Sequence, residues 1–245
     1  MVIDSATLDP PHAYKLLIGS IIPRAIGWIS TISKDGVANL APISFFTGAG
    51  RKPPMVCFNL QPRSDGVTLK DTFVNVRDTG EFVYNMVTLE QAHQMHRTAF
   101  EFPPEADEFV EVGLEKAPSV VVKAPRVLGA PISMECRVHK IISVGEAGDH
   151  LVIGEVLRFH IRDDLYLEHG RIDTAAIHSI GRLAAEYTLV ENVFVTPLDD
   201  EILRERASTR MHRLDAHADG WSPIDTKAWH PSGSLTQDDH VGETL

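Results

Sequence analysis

The run Ser64-Asp65-Gly66-Val67-Thr68-Leu69-Lys70-Asp71-Thr72 sets hydroxyls, a lysine and several backbone N–H groups where a helix is expected to begin. The first turn of a helix leaves N–H groups without acceptors and adds positive potential, so with one cation it can hold a small phosphate. The same run also reads as an ordinary capped helix with Lys70 in solvent. A second candidate is Asn39-Leu40-Ala41-Pro42-Ile43-Ser44-Phe45-Phe46, with Ile22-Pro23-Arg24-Ala25 grouped beside it. Pro42 cannot donate to a strand ladder, which frees backbone groups around Ala41 and Ile43 for a planar polar ligand; the competing reading is a kinked edge strand. Phe45 and Phe46 alone point to a core.

Other candidates are weaker. His93 and His96 stand three apart on an expected helix with Glu90 nearby, which offers two imidazoles to a metal. No third ligand is identifiable and such spacing is common by chance, so no metal site is expected. Cys57 and Cys136 both lie in apolar, strand-like runs and read as small buried hydrophobes in a reducing compartment. The chain has no GxGxxG, P-loop, GxSxG, HExxH or paired CxxC motif, which leaves NTPase, hydrolase and zinc-protease readings without support.

These residues need a frame. The 245 residues, 43% apolar and 23% charged, fall in the ordinary globular range and exclude collagen-like, coiled-coil and globally disordered classes. The formal charge of −11, with no segregated basic patch, opposes nucleic acid and anionic headgroups as partners. No apolar run reaches the roughly 20 residues of a membrane helix. The N-terminus carries acids where a secretory signal carries bases, so a cytoplasmic location is expected.

Residues 7–22 read as a short helix that runs into Gly19-Ser20 and then Pro23-Arg24. Residues 25–33 alternate Ile26, Trp28, Ser30 and Ile32 against Gly27, Ile29 and Thr31, and a Lys34-Asp35-Gly36 turn leads to a second strand over 37–46. Residues 55–60 read as a buried third strand. Thr68 with Asp71 then matches a capping box, and Leu69, Phe73 and Val76 recur at helical spacing up to Gly80. Residues 81–87 are strand-like, 88–100 helical, and 101–109 an acidic loop. Residues 132–145 and 150–161 flank a Glu146-Ala147-Gly148-Asp149 turn and carry the strongest strand signal in the chain. Strands without βαβ alternation predict a mainly β protein, an antiparallel barrel or sandwich with short covering helices. Beyond about Pro197 the composition changes: Leu203, Ala207, Met211 and Leu214 fit one amphipathic helix, and a polar, breaker-rich stretch with Trp221 and Trp229 follows. That extension reads as an arm on a neighbouring surface or as a frayed tail.

Seven collinear pieces carry a family resemblance: GSIIPRAIGWISTISKDGVANLAPISFF, KPPMVCFNL, LKDTFVNVRDTGEFVYNMV, DEFVEVGLEKAPSVVVKAPRV, MECRV, GDHLVIGEV and GRLAAEYT. Together, from about residue 12 to 190, they resemble the long-form flavin reductase-like family of FMN-binding split barrels, which includes flavoredoxins. The resemblance implies a six-stranded antiparallel Greek-key split β-barrel over 1–195, a homodimer, and FMN (with FAD as the alternative) held noncovalently at the subunit interface and reduced by NAD(P)H. Residues 196–245 are then a C-terminal helical or extended tail.

By the same resemblance Lys70, Asp71 and Thr72 hold the phosphate, Arg24, Ser30 and Thr31 face the flavin and its ribityl chain, and Ala41, Pro42, Ile43, Ser44 and Phe45 line the ring edge. Arg24 is also expected to stabilise charge on the reduced ring, His150 to dock the nicotinamide, and Arg182 to close the site. The family's late segment usually reads Gly-Arg-Leu-Gly-Gly, whereas Ala184 and Ala185 stand here. Two activities follow. One is a flavin reductase that feeds an oxygenase. The other is a flavoredoxin-like carrier that takes electrons from a redox protein.

Overall fold

The computed structural model describes residues 1–190. The expected tail helix, Trp221, Trp229 and the boundary at 195 lie outside the described residues. Helix α1 (Pro10–Ser20) begins at Asp9, whose carboxylate accepts from the His12 N–H at 2.9 Å, with prolines in the first turn. Strands β1 (Gly27–Ile32) and β2 (Ala38–Ile43) form the expected hairpin, in register from Gly27 opposite Ile43 to Ile32 opposite Ala38.

The expected second strand over 37–46 is not one strand. It stops at Ile43, and after residues 44–45 a new strand, β3 (Phe46–Arg51), pairs with β4 (Pro54–Leu60). Helix α2 (Asp71–Thr79), β5 (Glu81–Asn85), α3 (Ala92–Arg97) and α4 (Glu108–Glu111) follow. Then come the short pair β6 (Lys116–Ala117) and β7 (Arg126–Val127) and the long hairpin β8 (Ile132–Val144) and β9 (Asp149–Ile161). Two further small pairs are β10 (Tyr166–Leu167) with β11 (Arg171–Ile172), and β12 (Ile180–Arg182) with β13 (Tyr187–Leu189).

The main sheet has seven strands in the order β2-β1-β5-β8-β9-β4-β3, one more than the six implied by the resemblance, because β3 extends the edge beyond β4. Its two outer strands are consecutive in sequence. Laid flat, seven strands would hold those edges about 29 Å apart at about 4.8 Å per neighbour. Residues 44–45 can carry the chain only about 10 Å. The sheet must therefore curl until its edges face one another across a seam without a ladder, which is a split barrel.

Inside the curl, Ile29, Phe58, Val76, Phe82 and Val152 form the barrel core; outside it, Trp28, Leu40, Met95, Phe109 and Val127 form a second core under α3 and α4. The adjacent Trp28 and Ile29 are both 0% exposed, since successive strand residues point to opposite faces and both faces are covered.

Helix α2 ends as expected at Gly80 (φ 73°), whose N–H reaches Val76 O at 3.1 Å. Its start is different. The N-cap is Lys70, with no side-chain cap, and Thr68 belongs to a preceding turn in which Asp65 accepts from the N–H groups of Val67 (2.9 Å) and Thr68 (2.8 Å). The local Asx turn outcompetes the capping box for Thr68.

Across the seam the Phe46 ring stacks on Tyr84 with centroids 4.7 Å apart and lies against Gly27, where a Cβ would fall 2.5 Å from Phe46 Cδ2 and 2.7 Å from its Cγ. A methyl there pushes on the root of the ring rather than its tip. Gly27→Ala is expected to destabilise the fold by about 1–3 kcal/mol, read by urea unfolding. Gly48→Ala, which meets nothing within 4 Å, serves as the control. Equal midpoints for the two variants would show that the seam does not need the close approach.

Candidate functional site

The seam is also where the clefts are. One is lined by Pro42, Ile43, Ser44, Phe45, Asn59 and Lys70, among others. A second, by way of Ala41, runs from Pro42 to Arg63, Lys70, Thr72 and Glu108. A third joins Pro42 and Ser44 to His96, Arg182 and Tyr187. Pro42 is common to all three, because it sits on an edge strand paired on one side only, opposite Trp28. Backbone groups on the other side of such a strand are left for a ligand.

One end of this groove is built for an anion. The first backbone bond of α2 comes from the Phe73 N–H to Lys70 O (2.9 Å), which leaves the Asp71 and Thr72 N–H groups without a backbone acceptor. Arg63 stands beside them, ion-paired with Asp71 and donating to Phe102 O at 3.0 Å. Burial pulls the Lys70 ammonium below its ordinary value; Glu101 opposes this and Arg63 adds to it. Burial pushes Asp71 up against the opposing pull of Arg63. The rim is fixed by Glu101, which accepts from the Ser64 N–H (2.6 Å) and hydroxyl (2.8 Å).

Below the anion end lies a buried polar network. Glu108, 4% exposed, accepts from Asn39 Nδ2 (2.6 Å) and the Leu40 N–H (3.1 Å). Asn39 Oδ1 accepts from the hydroxyls of Thr72 (2.9 Å) and Thr31 (3.2 Å), and Thr31 accepts from Asn75 Nδ2 (3.0 Å). Burial pushes Glu108 up to about 7, against the pull of its backbone and Asn39 hydrogen bonds.

The structure thus brings together Ala41, Pro42, Ile43, Ser44, Phe45, Lys70, Asp71 and Thr72, with Arg182 in the adjoining cleft. Arg182 lies over the Tyr187 ring at 4.6 Å, and the Tyr187 hydroxyl meets His96 Nδ1 at 2.9 Å. Ala184 and Ala185, where the family usually has glycines, are exposed beside this hairpin.

Four of the expected residues are engaged in contacts of their own. Ser30 and Thr31 are 0% exposed, so neither faces a groove: Ser30 donates to Pro125 O (2.5 Å) and accepts from Asn85, and Thr31 serves the network below. Arg24, 7% exposed, is committed to structure. Its guanidinium donates to Ile18 O, to Ile21 O (3.3 Å), to Leu183 O (2.7 Å) and to Ser44 Oγ (3.4 Å), so four of its five N–H donors are taken by the protein itself. His150, opposite Leu60 in the ladder, packs on the Phe73 ring with centroids 4.2 Å apart and does not line these three clefts.

The sequence reading missed Arg63 and Glu108 and gave Asn39, inside the second run, no role of its own. Arg63 was the more accessible of the two, one residue ahead of the Ser64–Thr72 run.

The flavin reductase like domain model matches residues 18–176. The chain belongs to the flavin reductase-like family. A relative from Aquifex aeolicus is 44% identical over 179 residues, which cover 73% of this chain and 90% of the relative. Among solved structures, nitrilotriacetate monooxygenase component B from Bacillus cereus is 34% identical, with a TM-score of 0.75, over 79% of this chain and 97% of that one. The 2-nitrobenzoate 2-nitroreductase of Pseudomonas fluorescens is 27% identical, with a TM-score of 0.73, over 82% and 97%.

In this member of the family the Arg24 donors tie α1 and the β12–β13 hairpin to the seam. Arg24→Met leaves part-buried carbonyls without donors and is expected to cost about 1–2 kcal/mol in urea unfolding. An unchanged midpoint would overturn the clamp.

Proposed function

We propose that the chain is an FMN-binding oxidoreductase that takes electrons from NAD(P)H and hands reduced flavin, or its electrons, to an oxygenase. The observation that carries this reading is the joining of one anion end, made by Lys70, Arg63 and the Thr72 N–H, to the side of edge strand β2, at Pro42 and on to Ser44, that has no partner strand. A flavin mononucleotide has the same two parts, a terminal phosphate and a planar polar ring. The donor set fits a ring in another way: Asn59 Oδ1, on the first cleft, is buried without a hydrogen-bond partner, and a buried carbonyl of this kind calls for a donor from a bound group.

The two cations that would meet the phosphate are bounded by Asp71, Glu101 and Glu108. The bound cofactor supplies the electron and hydride chemistry. The chain's share is to bind and orient: Lys70 and Arg63 neutralise the phosphate, the β2 edge fixes the ring plane, and Ile43 and Leu60 exclude water at its border.

No dinucleotide-binding domain stands among the described residues, so a nicotinamide would bind only transiently, and the adjoining cleft lined by Arg182 and Tyr187 is open to it. The reading includes residues 1–195 as the flavin domain with 196–245 as a separate extension, a cytoplasmic location and a homodimer. Apolar Tyr84, Met86, Ile180 and exposed Val190 line a further cleft beside the seam and suit a second copy. No helix among the described residues is long and apolar enough to cross a membrane.

Anaerobic stopped-flow mixing of the FMN-loaded protein with NADH and with NADPH tests the activity. Rapid bleaching of the visible flavin band is expected with one of them. Stable colour with both assigns the chain instead to flavoredoxin-like electron carriage, and a protein that stays colourless with added FMN overturns both.

Lys70→Ala is expected to weaken FMN retention about tenfold, on the order of 1.4 kcal/mol for one charge-assisted contact, while turnover per bound flavin changes little. Equal flavin occupancy after gel filtration of wild type and variant would remove Lys70 from the phosphate end.

A further inference from the structure

The anion end has an acid in its floor, and the network above that acid turns a needed donor inward. Both Glu108 oxygens accept, Oε1 from Asn39 Nδ2 (2.6 Å) and Oε2 from the Leu40 N–H (3.1 Å). With its amide nitrogen committed there, Asn39 presents Oδ1 to Thr72, whose hydroxyl donates to it at 2.9 Å. Thr72 stands at the helix terminus, where a phosphate needs donors, yet its hydroxyl hydrogen points into the protein.

We propose that Glu108 takes up one proton when a phosphate monoester seats on the α2 terminus, and that this proton reverses the Asn39 amide and turns the Thr72 hydroxyl toward the phosphate. The inference rests on the flavin-phosphate reading above. Protonated at Oε1, Glu108 becomes a donor that faces an amide N–H. A half-turn of the Asn39 amide brings Oδ1 to that proton and Nδ2 to the Thr72 and Thr31 oxygens. Thr72 then accepts from Asn39, and its own hydrogen is released to the cleft. Oε2 keeps the Leu40 N–H. The proton comes from solvent, and no covalent bond other than the new O–H changes. The Thr31 hydroxyl hydrogen loses its acceptor, and that cost holds the ionised arrangement in place until an anion arrives.

The surrounding charges agree. Asp71 on α2 and Glu101 on the facing loop disfavour the Glu108 carboxylate, Lys70 and Arg63 across the same cleft favour it, and Asp107 beside it is paired with Lys116. Burial, with Asp71 adding to it, pushes Glu108 up to about 7, so an arriving dianion has only a small distance to move it.

Calorimetric titration of FMN into the flavin-free protein, in two buffers of different ionisation enthalpy and with riboflavin as control, tests this. FMN binding is expected to take up a proton near pH 8, with affinity falling by up to tenfold per pH unit between about 7 and 9, and riboflavin to do neither. The second phosphate ionisation, near 6, lies below this window. Glu108→Gln places an N–H where the bound state has its O–H, so its FMN affinity is expected to be flat across the window, at the tight end of the wild-type range. Thr72→Val is expected to be flat at the weak end.

Buffer-independent heats in the wild type overturn the coupling and need no variant. Proton uptake that survives Glu108→Gln belongs to Lys70 and overturns the assignment. Absence of FMN binding overturns the flavin reading itself, whereas binding without proton uptake overturns only the coupling.

Discussion

Residues 44–45 impose the constraint from which the site follows. They join the two outermost strands of a seven-stranded sheet, so the sheet can satisfy its own connectivity only by rolling up, and the roll closes on itself without a ladder at that point. A seam of this kind leaves strand edges unpaired inside an otherwise closed structure, the one place where backbone polar groups can be offered to a small molecule rather than to another strand. Phe46 and Gly27 then set how closely the edges approach. The cleft is thus a product of topology before any side chain is considered.

Electrostatics adds polarity to that opening. A chain with a formal charge of −11 repels anions at long range, so an anion end has to be made locally. Lys70, Arg63 and the unpaired N–H groups of α2 make it at one end of the groove, while Asp71, Glu101 and Glu108 limit how much negative charge it tolerates. The polar atoms beneath it are almost completely mutually satisfied, which rigidifies the helix start on which the seat depends.

The parts legible in the sequence were those governed by local periodicity: the first hairpin, the long β8–β9 hairpin and the end of α2 at Gly80. The break between β2 and β3 was not, because residues 37–46 read as one mostly apolar run and the change of partner is dictated by barrel closure. Ser30 and Thr31 were misjudged for a related reason. Alternation within one strand shows one buried face, and it cannot show that helices bury the other. The ties of Arg24 were hidden because one of the carbonyls that hold it, Leu183 O, lies 159 positions away, and the other, Ile18 O, comes within reach only through the turn after α1. Glu108 sits in a stretch whose composition reads as a solvated acidic loop; only its pairing with Asn39, 69 positions away, draws it into the interior.

The β3 edge bears on how the molecule behaves in a crowded solution. From Thr47 to Arg51 this outer strand is exposed, and one side of it has no neighbour among the described residues, the arrangement that recruits foreign strands into fibrils. Here it is irregular between Gly48 and Gly50, ends in Arg51 and Lys52, and turns through Pro53 and Pro54. Twist, like charges and the prolines that close the turn together deny an incoming chain a flat template, so the same seam that admits a ligand is bordered by an edge that resists self-templated stacking.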